Sequence, residues 1–193
     1  MDIVIKNLCK SFGEKQVLKN INAVIKQGQI TCLMGQSGVG KTTLLNIMMG
    51  FVKADSGEIL NIPQLKSAVF QENRLCESFS VLSNIKMAND SLSDDVIMKH
   101  LAAVGLENEA KHKVSTLSGG MKRRVALVRA ILAEKEILFL DEPFKGLDDK
   151  TLEQVQNYLS ENTKGVTVVM VTHQIEDAQA LGAEIINLKN SAL

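Results

Sequence analysis

A chain of 193 residues, 45% hydrophobic and 23% charged, is long enough for one domain with a real core, or one domain with a small insertion. Its 22 basic and 22 acidic residues cancel, which argues against a general nucleic-acid binder and against a polybasic membrane-surface protein. With no tryptophan and a single tyrosine, aromatic platforms for stacking bases are not expected either.

The first six residues, Met1-Asp2-Ile3-Val4-Ile5-Lys6, lack the basic start and long apolar stretch of a signal peptide. Residues 1–30 read as short strands. Ile3, Ile5 and Leu8 mark the first, Phe12-Gly13-Glu14-Lys15 turns the chain, and Val17, Leu18, Ile21, Ala23 and Ile25 continue. After a turn at Gln27-Gly28-Gln29, the apolar run Ile30-Thr31-Cys32-Leu33-Met34 predicts a buried strand, with Cys32 as plain core. It feeds Gly35-Gln36-Ser37-Gly38-Val39-Gly40-Lys41-Thr42, which fits G-x-x-x-x-G-K-[ST]. A helix beginning near Lys41 carries Leu44, Leu45, Ile47 and Met48 and stops at Gly50. Strand, loop and helix in this order make a phosphate site. Glycines let backbone N–H groups converge on phosphate oxygens, and the helix adds its positive end. Lys41 is placed to reach the β- and γ-phosphates, and the Thr42 hydroxyl to bind Mg²⁺.

Asp55-Ser56-Gly57 predicts a turn and Glu58-Ile59-Leu60 a short strand; after Pro63, Lys66-Ser67-Ala68-Val69-Phe70 reads as another buried strand. From about residue 72 to 135 the pattern becomes helical. Val81, Leu82 and Ile85 suit a short helix; Val96, Ile97, Leu101 and Val104 suit a second, ending at Gly105; a long helix runs from Met121 to Ala133. This segment reads as a helical insertion in an α/β core. Ile137-Leu138-Phe139-Leu140 and residues 166–171 are continuous apolar runs, as central parallel strands require, with Leu152, Val155, Gln156 and Leu159 on a helix between them. The alternation predicts an α/β fold, a mostly parallel sheet with helices on both faces. No run approaches the ~18–20 apolar residues that span a bilayer, so a membrane role needs another chain as anchor. Three scattered cysteines, Cys9, Cys32 and Cys76, suit a reducing compartment better than a disulfide frame or a zinc site.

Two more motifs carry chemistry. The strand at 137–140 ends in Asp141-Glu142-Pro143, and ligands in open parallel sheets bind at strand carboxyl ends. Asp141 is placed to hold Mg²⁺, and Glu142 to orient a water for in-line attack on the γ-phosphate. In Leu117-Ser118-Gly119-Gly120-Met121, two glycines precede the long helix and Ser118 can cap it. The Gly120 N–H and that helix end also attract phosphate, so the chain carries two phosphate-seeking helix starts.

Together these residues resemble an ATP-binding cassette (ABC) ATPase, the motor subunit of ABC transporters, over essentially the whole length. The resemblance rests on the phosphate loop, Gln71 in Val69-Phe70-Gln71-Glu72, the signature from Leu117 to Met121, the strand ending in Asp141-Glu142, the loop Gly146-Leu147-Asp148, and His173 in Val171-Thr172-His173. It implies a P-loop NTPase fold with an N-terminal antiparallel β subdomain, and a single nucleotide-binding domain over residues 1–193. It also implies ATP and Mg²⁺ as ligands. Nucleotide contacts would come from Phe12, stacking on adenine, and from Gly35, Gln36, Ser37, Gly38, Val39, Gly40, Lys41, Thr42 and Thr43. The signature would add Ser118, Gly119 and Gly120, with Asp148 lying between the two subunits' sites. Glu142, His173 and Gln71 would serve catalysis; Thr42, Gln71 and Asp141 would meet the metal. Phe12 has a second reading as a core or turn aromatic. His100 and His112 carry no motif and are read as solvent-facing.

Members of this family work as a head-to-tail dimer, of identical or related chains, bound to integral membrane subunits on the cytoplasmic side of the cell membrane. The resemblance implies no nucleic-acid partner. Met121 in the signature, with the basic run Lys122-Arg123-Arg124, is similar to the nitrate, sulfonate and taurine importer branch, which also employs an extracytoplasmic solute-binding protein. The same basic run reads equally well as a solvated helix face. The chain ends soon after the 166–171 strand, so no C-terminal regulatory domain is expected. An exporter or release-system ATPase, a soluble ATPase acting on DNA or ribosomes, a small-molecule kinase and a non-hydrolysing regulator are the competing readings.

Overall fold

In the computed structural model, which describes residues 1–188, the strands divide between two sheets. β1 (Ile3–Phe12) and β2 (Lys15–Ile25) form a long antiparallel hairpin with Phe12 opposite Lys15 and Ile3 opposite Ile25. β4 (Ser56–Leu60) pairs antiparallel with the other edge of β1. The turn expected at Asp55-Ser56-Gly57 is therefore the start of a strand. Gly57 (φ +83°) runs so close to β1 that a Cβ would stand 2.4 Å from the Asn7 carbonyl oxygen, and the ladder shifts register between Lys6 and Cys9. The glycine marks a close backbone approach beside a bulge, not a chain reversal.

The second sheet is parallel throughout. Its order is β5 (Lys66–Val69), β6 (Ile137–Asp141), β7 (Thr167–Val171), β3 (Ile30–Met34) and β8 (Glu184–Asn187). Successive residues of its central strands face opposite sides, and the apolar side chains sort cleanly. Cys32, Leu138, Leu140, Val168 and Met170 enter one buried cluster; Leu33, Ile137, Phe139, Val169 and Val171 enter the other. Burial on both faces is why these strands read as continuous apolar runs. Each fully buried aliphatic or aromatic side chain contributes about 1.5–3 kcal/mol.

The first cluster is roofed by α2 (Val81–Lys86), α3 (Asp94–Ala103), α4 (Gly119–Leu132), α5 (Asp149–Asn162) and α6 (Ile175–Ala180). The second is closed by α1 (Lys41–Met49) together with the antiparallel sheet. Helices thus lie on both faces, as expected, and α2 to α4 all fall between β5 and β6. α4 begins at Gly119, two residues before the predicted start, because Ser118 caps it by accepting a hydrogen bond from the Met121 N–H at 3.2 Å.

His100 departs from expectation. Its Nδ1 lies 2.8 Å from the Tyr158 hydroxyl, the rings meet edge to face at 5.7 Å, and burial lowers its pKa. It joins α3 to α5 instead of facing solvent. His112 is exposed beside Glu109, as expected.

Candidate active site

The parallel sheet brings four segments to one edge. The loops after β3, β5, β6 and β7 all open at its carboxyl end and line a cavity of about 250 Å³. Lys41, Thr42 and Thr43 come from the start of α1, Gln71 from beyond β5, Asp141 and Glu142 from the end of β6, and His173 from beyond β7. Widely separated sequence positions thus form one polar hollow.

The phosphate loop is shaped by its glycines. Gly40 sits at φ +102°, and a Cβ there would come within 2.5 Å of the Leu18 side chain and 3.0 Å of the Val17 carbonyl oxygen, so β2 closes tightly behind the loop. Val39 is buried in the second cluster, leaving only its backbone for a ligand. Gln36, Ser37 and Gly38 are exposed. Lys41 is 6% exposed and curls back, its Nζ donating to the carbonyl oxygens of Gly35 (2.7 Å) and Gln36 (3.1 Å). Burial lowers its pKa, against the pull of Glu142 and Asp141. An anion entering the hollow meets an ammonium held in place by two neutral acceptors that it can replace.

Facing it, the Thr42 hydroxyl donates to Asp141 Oδ2 at 3.1 Å. Burial raises the Asp141 pKa, opposed by that hydrogen bond and by the Arg123 and Lys41 charges. Burial also raises the Glu142 pKa, opposed by His173, while Asp141 pushes it further up. Glu142 Oε1 lies 3.2 Å from His173 Nε2, yet it accepts no hydrogen bond of acceptable geometry and is shut off from solvent. A buried, unpartnered carboxylate oxygen beside a phosphate loop is an acceptor waiting for a donor. Glu142 also adopts φ +52°, rare for a residue with a Cβ.

His173 is exposed but its turn is fixed from below. The Thr172 hydroxyl donates to Asp177 Oδ2 at 2.8 Å and accepts from the Gln174 N–H at 3.2 Å; Gln156 Nε2 of α5 donates to Asp177 Oδ1 at 3.1 Å. Asp177 is 3% exposed. Sequence reading missed this carboxylate; its one signal is its place in the first turn of the helix that follows His173.

The structure does not bring every expected residue into the hollow. Ser118, Gly119 and Gly120 start α4 outside it, with Ser118 and Gly119 exposed. Asp148 is exposed and caps α5, accepting from the Thr151 N–H (3.0 Å) and hydroxyl (2.8 Å). Phe12 is 52% exposed at the end of β1, with Lys10 Nζ 5.3 Å above its ring, so it is not a core aromatic. The run Lys122-Arg123-Arg124 is not a solvated face. Lys122 pairs with Glu77 at 2.7 Å, Arg123 is buried, and Arg124 donates to the carbonyls of Val104 (2.6 Å) and Gly105 (3.3 Å). Helical spacing points three successive cations in three directions.

Residues 18–145 match the description ABC transporter. This chain belongs to the ABC transporter family. The cassette is 39% identical over 185 residues to the aliphatic sulfonates import ATP-binding protein SsuB 3 of Rhodococcus jostii, spanning 94% of this chain and 69% of that protein. It is 33% identical over 209 residues to the bicarbonate transport ATP-binding protein CmpD of Synechococcus elongatus, spanning 97% of this chain and 75% of that one. The dimeric structure of MJ0796, a bacterial ABC transporter cassette, superposes with a TM-score of 0.84 at 34% identity over 97% of this chain and 94% of its own. A dimeric post-hydrolysis state of MJ0796 bound to ADP and Pi gives a TM-score of 0.83 at 32% identity, with the same coverage. This cassette is accordingly an ATPase, and its relatives include the sulfonate importers that Met121 suggested.

Proposed function

We propose that this cassette is the ATP-hydrolysing motor of an import system for a small solute, acting as a head-to-tail dimer on the cytoplasmic side of separate integral membrane subunits. The observation that carries the reading is the division of the phosphate-seeking groups. Lys41, Thr42, Asp141, Glu142, Gln71 and His173 share one hollow, whereas Ser118 and Gly119 face outward at another helix start. A second copy completes the site: its signature covers the nucleotide held by the first copy's phosphate loop. The import ATP-binding proteins among the relatives support import, and the dimeric cassette supports pairing. Residues 1–193 act as one nucleotide-binding domain, with 72–135 as the insertion that meets the membrane partner.

Within the hollow, Lys41 exchanges the Gly35 and Gln36 carbonyls for phosphate oxygens. Phe12 offers its exposed ring to adenine. The oxygens of Thr42 and Asp141, 3.1 Å apart, fit a hard cation, and Gln71 lines the same hollow. When bound there, Mg²⁺ neutralises charge between phosphate oxygens. Glu142 takes a proton from the attacking water as the water oxygen bonds to the γ-phosphorus and the bond from that phosphorus to the ADP oxygen breaks. Its raised pKa brings it nearer the working pH, which suits a general base. His173 holds the γ-phosphate and keeps that water aligned.

Purification of the tagged chain from detergent-solubilised membranes, with mass spectrometry of co-purifying proteins, tests the assembly. A polytopic membrane protein is expected in stoichiometric amount. An active ATPase that recovers none would reject the transport role.

A further inference from the structure

The end of β6 and the Gln71 loop are remote in sequence, and one side chain holds both. Arg123, on α4 just past the signature, is 3% exposed. Its Nη1 donates to the Phe70 carbonyl oxygen and to Asn73 Oδ1 at 3.2 Å. Its Nη2 donates to the carbonyl oxygens of Asp141 (3.1 Å) and Glu142 (2.7 Å). Phe70 immediately precedes Gln71. One guanidinium therefore grips the backbone at, or next to, three groups of the proposed reaction.

Glu142 needs such a grip. Its left-handed φ persists only where the surroundings over-determine it. The Glu142 N–H donates to the Val171 carbonyl at 2.9 Å, and Arg123 takes the carbonyl on the other side. With the backbone held from both ends, the direction of the carboxylate follows. Burying a cation is unfavourable: desolvation lowers the Arg123 pKa, and the Asp141 and Glu142 charges offset it. Arginine suits the task because its planar fork spans two chain segments, which a point-like ammonium cannot. Arg129, lower on α4, holds the same loop through the carbonyls of Arg74 (2.9 Å) and Asn73 (3.2 Å), with no bond to β6. Of the cations on this helix, Arg123 alone bonds to both.

We infer that Arg123 is a positioning residue for hydrolysis: it sets the backbone from which Glu142 and Gln71 project, and it ties both to the helix that begins at the signature. This rests on the roles proposed above for Glu142 and Gln71. Arg123 does not line the nucleotide hollow, so its removal should act on turnover and spare ATP binding. Arg123 thus links the helix that begins at the signature to the backbone of the water-activating group.

The test compares full-length wild type, Arg123→Lys and Arg123→Gln by steady-state Mg·ATP turnover and equilibrium titration of ATP affinity. Wild-type turnover and its loss in Glu142→Gln are measured first, so failure of the underlying mechanism shows separately. In Arg123→Lys, turnover should fall about tenfold or more while affinity stays within about threefold. Arg123→Gln should show the same split. Wild-type turnover in Arg123→Lys overturns the inference, and so does a parallel loss of affinity and turnover. If Arg123→Gln does not fold, the lysine variant decides alone.

Discussion

Lys41, Asp141 and Glu142 each have burial acting against their charge, and the three sit together. The carboxylates make the metal-free protein pH-sensitive in a definite direction. Their folded pKa values are raised, so between the ordinary carboxylate range and the raised values the folded chain keeps protons that the unfolded chain has lost. Stability from these groups is full in acid below that window and is lost as pH rises through it. Asp55, held down by its hydrogen bond from Lys10, and Asp148, held down by the Thr151 N–H, run the opposite way. Only a difference between variants isolates Asp141. Metal-free Asp141→Asn should melt above wild type near neutral pH by about 2–4 °C, the response of a chain this size to roughly 1 kcal/mol. The gap should close in the acid carboxylate range, and the variant should lose the extra stabilisation that Mg²⁺ adds to ATP. Differential scanning calorimetry at both pH values checks this; a gap that does not change with pH contradicts it.

At the scale of elements, the turn between β7 and α6 hangs on Asp177, which receives the Thr172 hydroxyl and the Gln156 amide of α5. α5 begins at the Asp148 cap, so one buried carboxylate links that loop to the His173 turn. Asp177→Ala leaves a buried hydroxyl and a half-buried amide without their acceptor and should cost about 1–3 kcal/mol in urea denaturation. It should also lower turnover more than ATP affinity, since His173 loses its footing; equal losses would assign Asp177 to stability alone. Such contacts explain what the sequence left illegible. Glycines, Lys41 and the double-sided apolar runs announce β3, α1, β6 and β7, because their residue types are dictated locally or by burial. Arg123 could not be read, because three of its four acceptors are backbone carbonyls, which every residue possesses. Gly57 misled because a glycine needed for close strand approach looks like one needed for a turn. α6 and the edge strand β8 are too short to show a period.

At the scale of the whole molecule, the signature and the Asp148 loop form one surface. The Cβ position of Gly120 lies 3.3 Å from the Gly146 carbonyl oxygen and 3.6 Å from Leu147, while nothing stands within 4 Å of the Gly119 Cβ position. Two helix N-termini, those of α4 and α5, are therefore presented side by side, and the chain's zero net charge raises no general barrier to self-association. A second copy bringing ATP in its own hollow would place phosphate against Gly119. With hydrolysis stalled, Glu142→Gln should convert from monomer to dimer on saturation with Mg·ATP, read by sedimentation velocity. Gly119→Asp on that background is a sharp probe. Space around Gly119 admits the side chain, and a carboxylate in the first turn of a helix is favourable, so the monomer should fold and bind ATP as before. Across the interface the same carboxylate would meet phosphate and repel it. Dimerisation should then be lost with ATP affinity unchanged. Persistence of the dimer in the double variant would mean that the chains pair through another surface, and that the signature is not the missing half of the site.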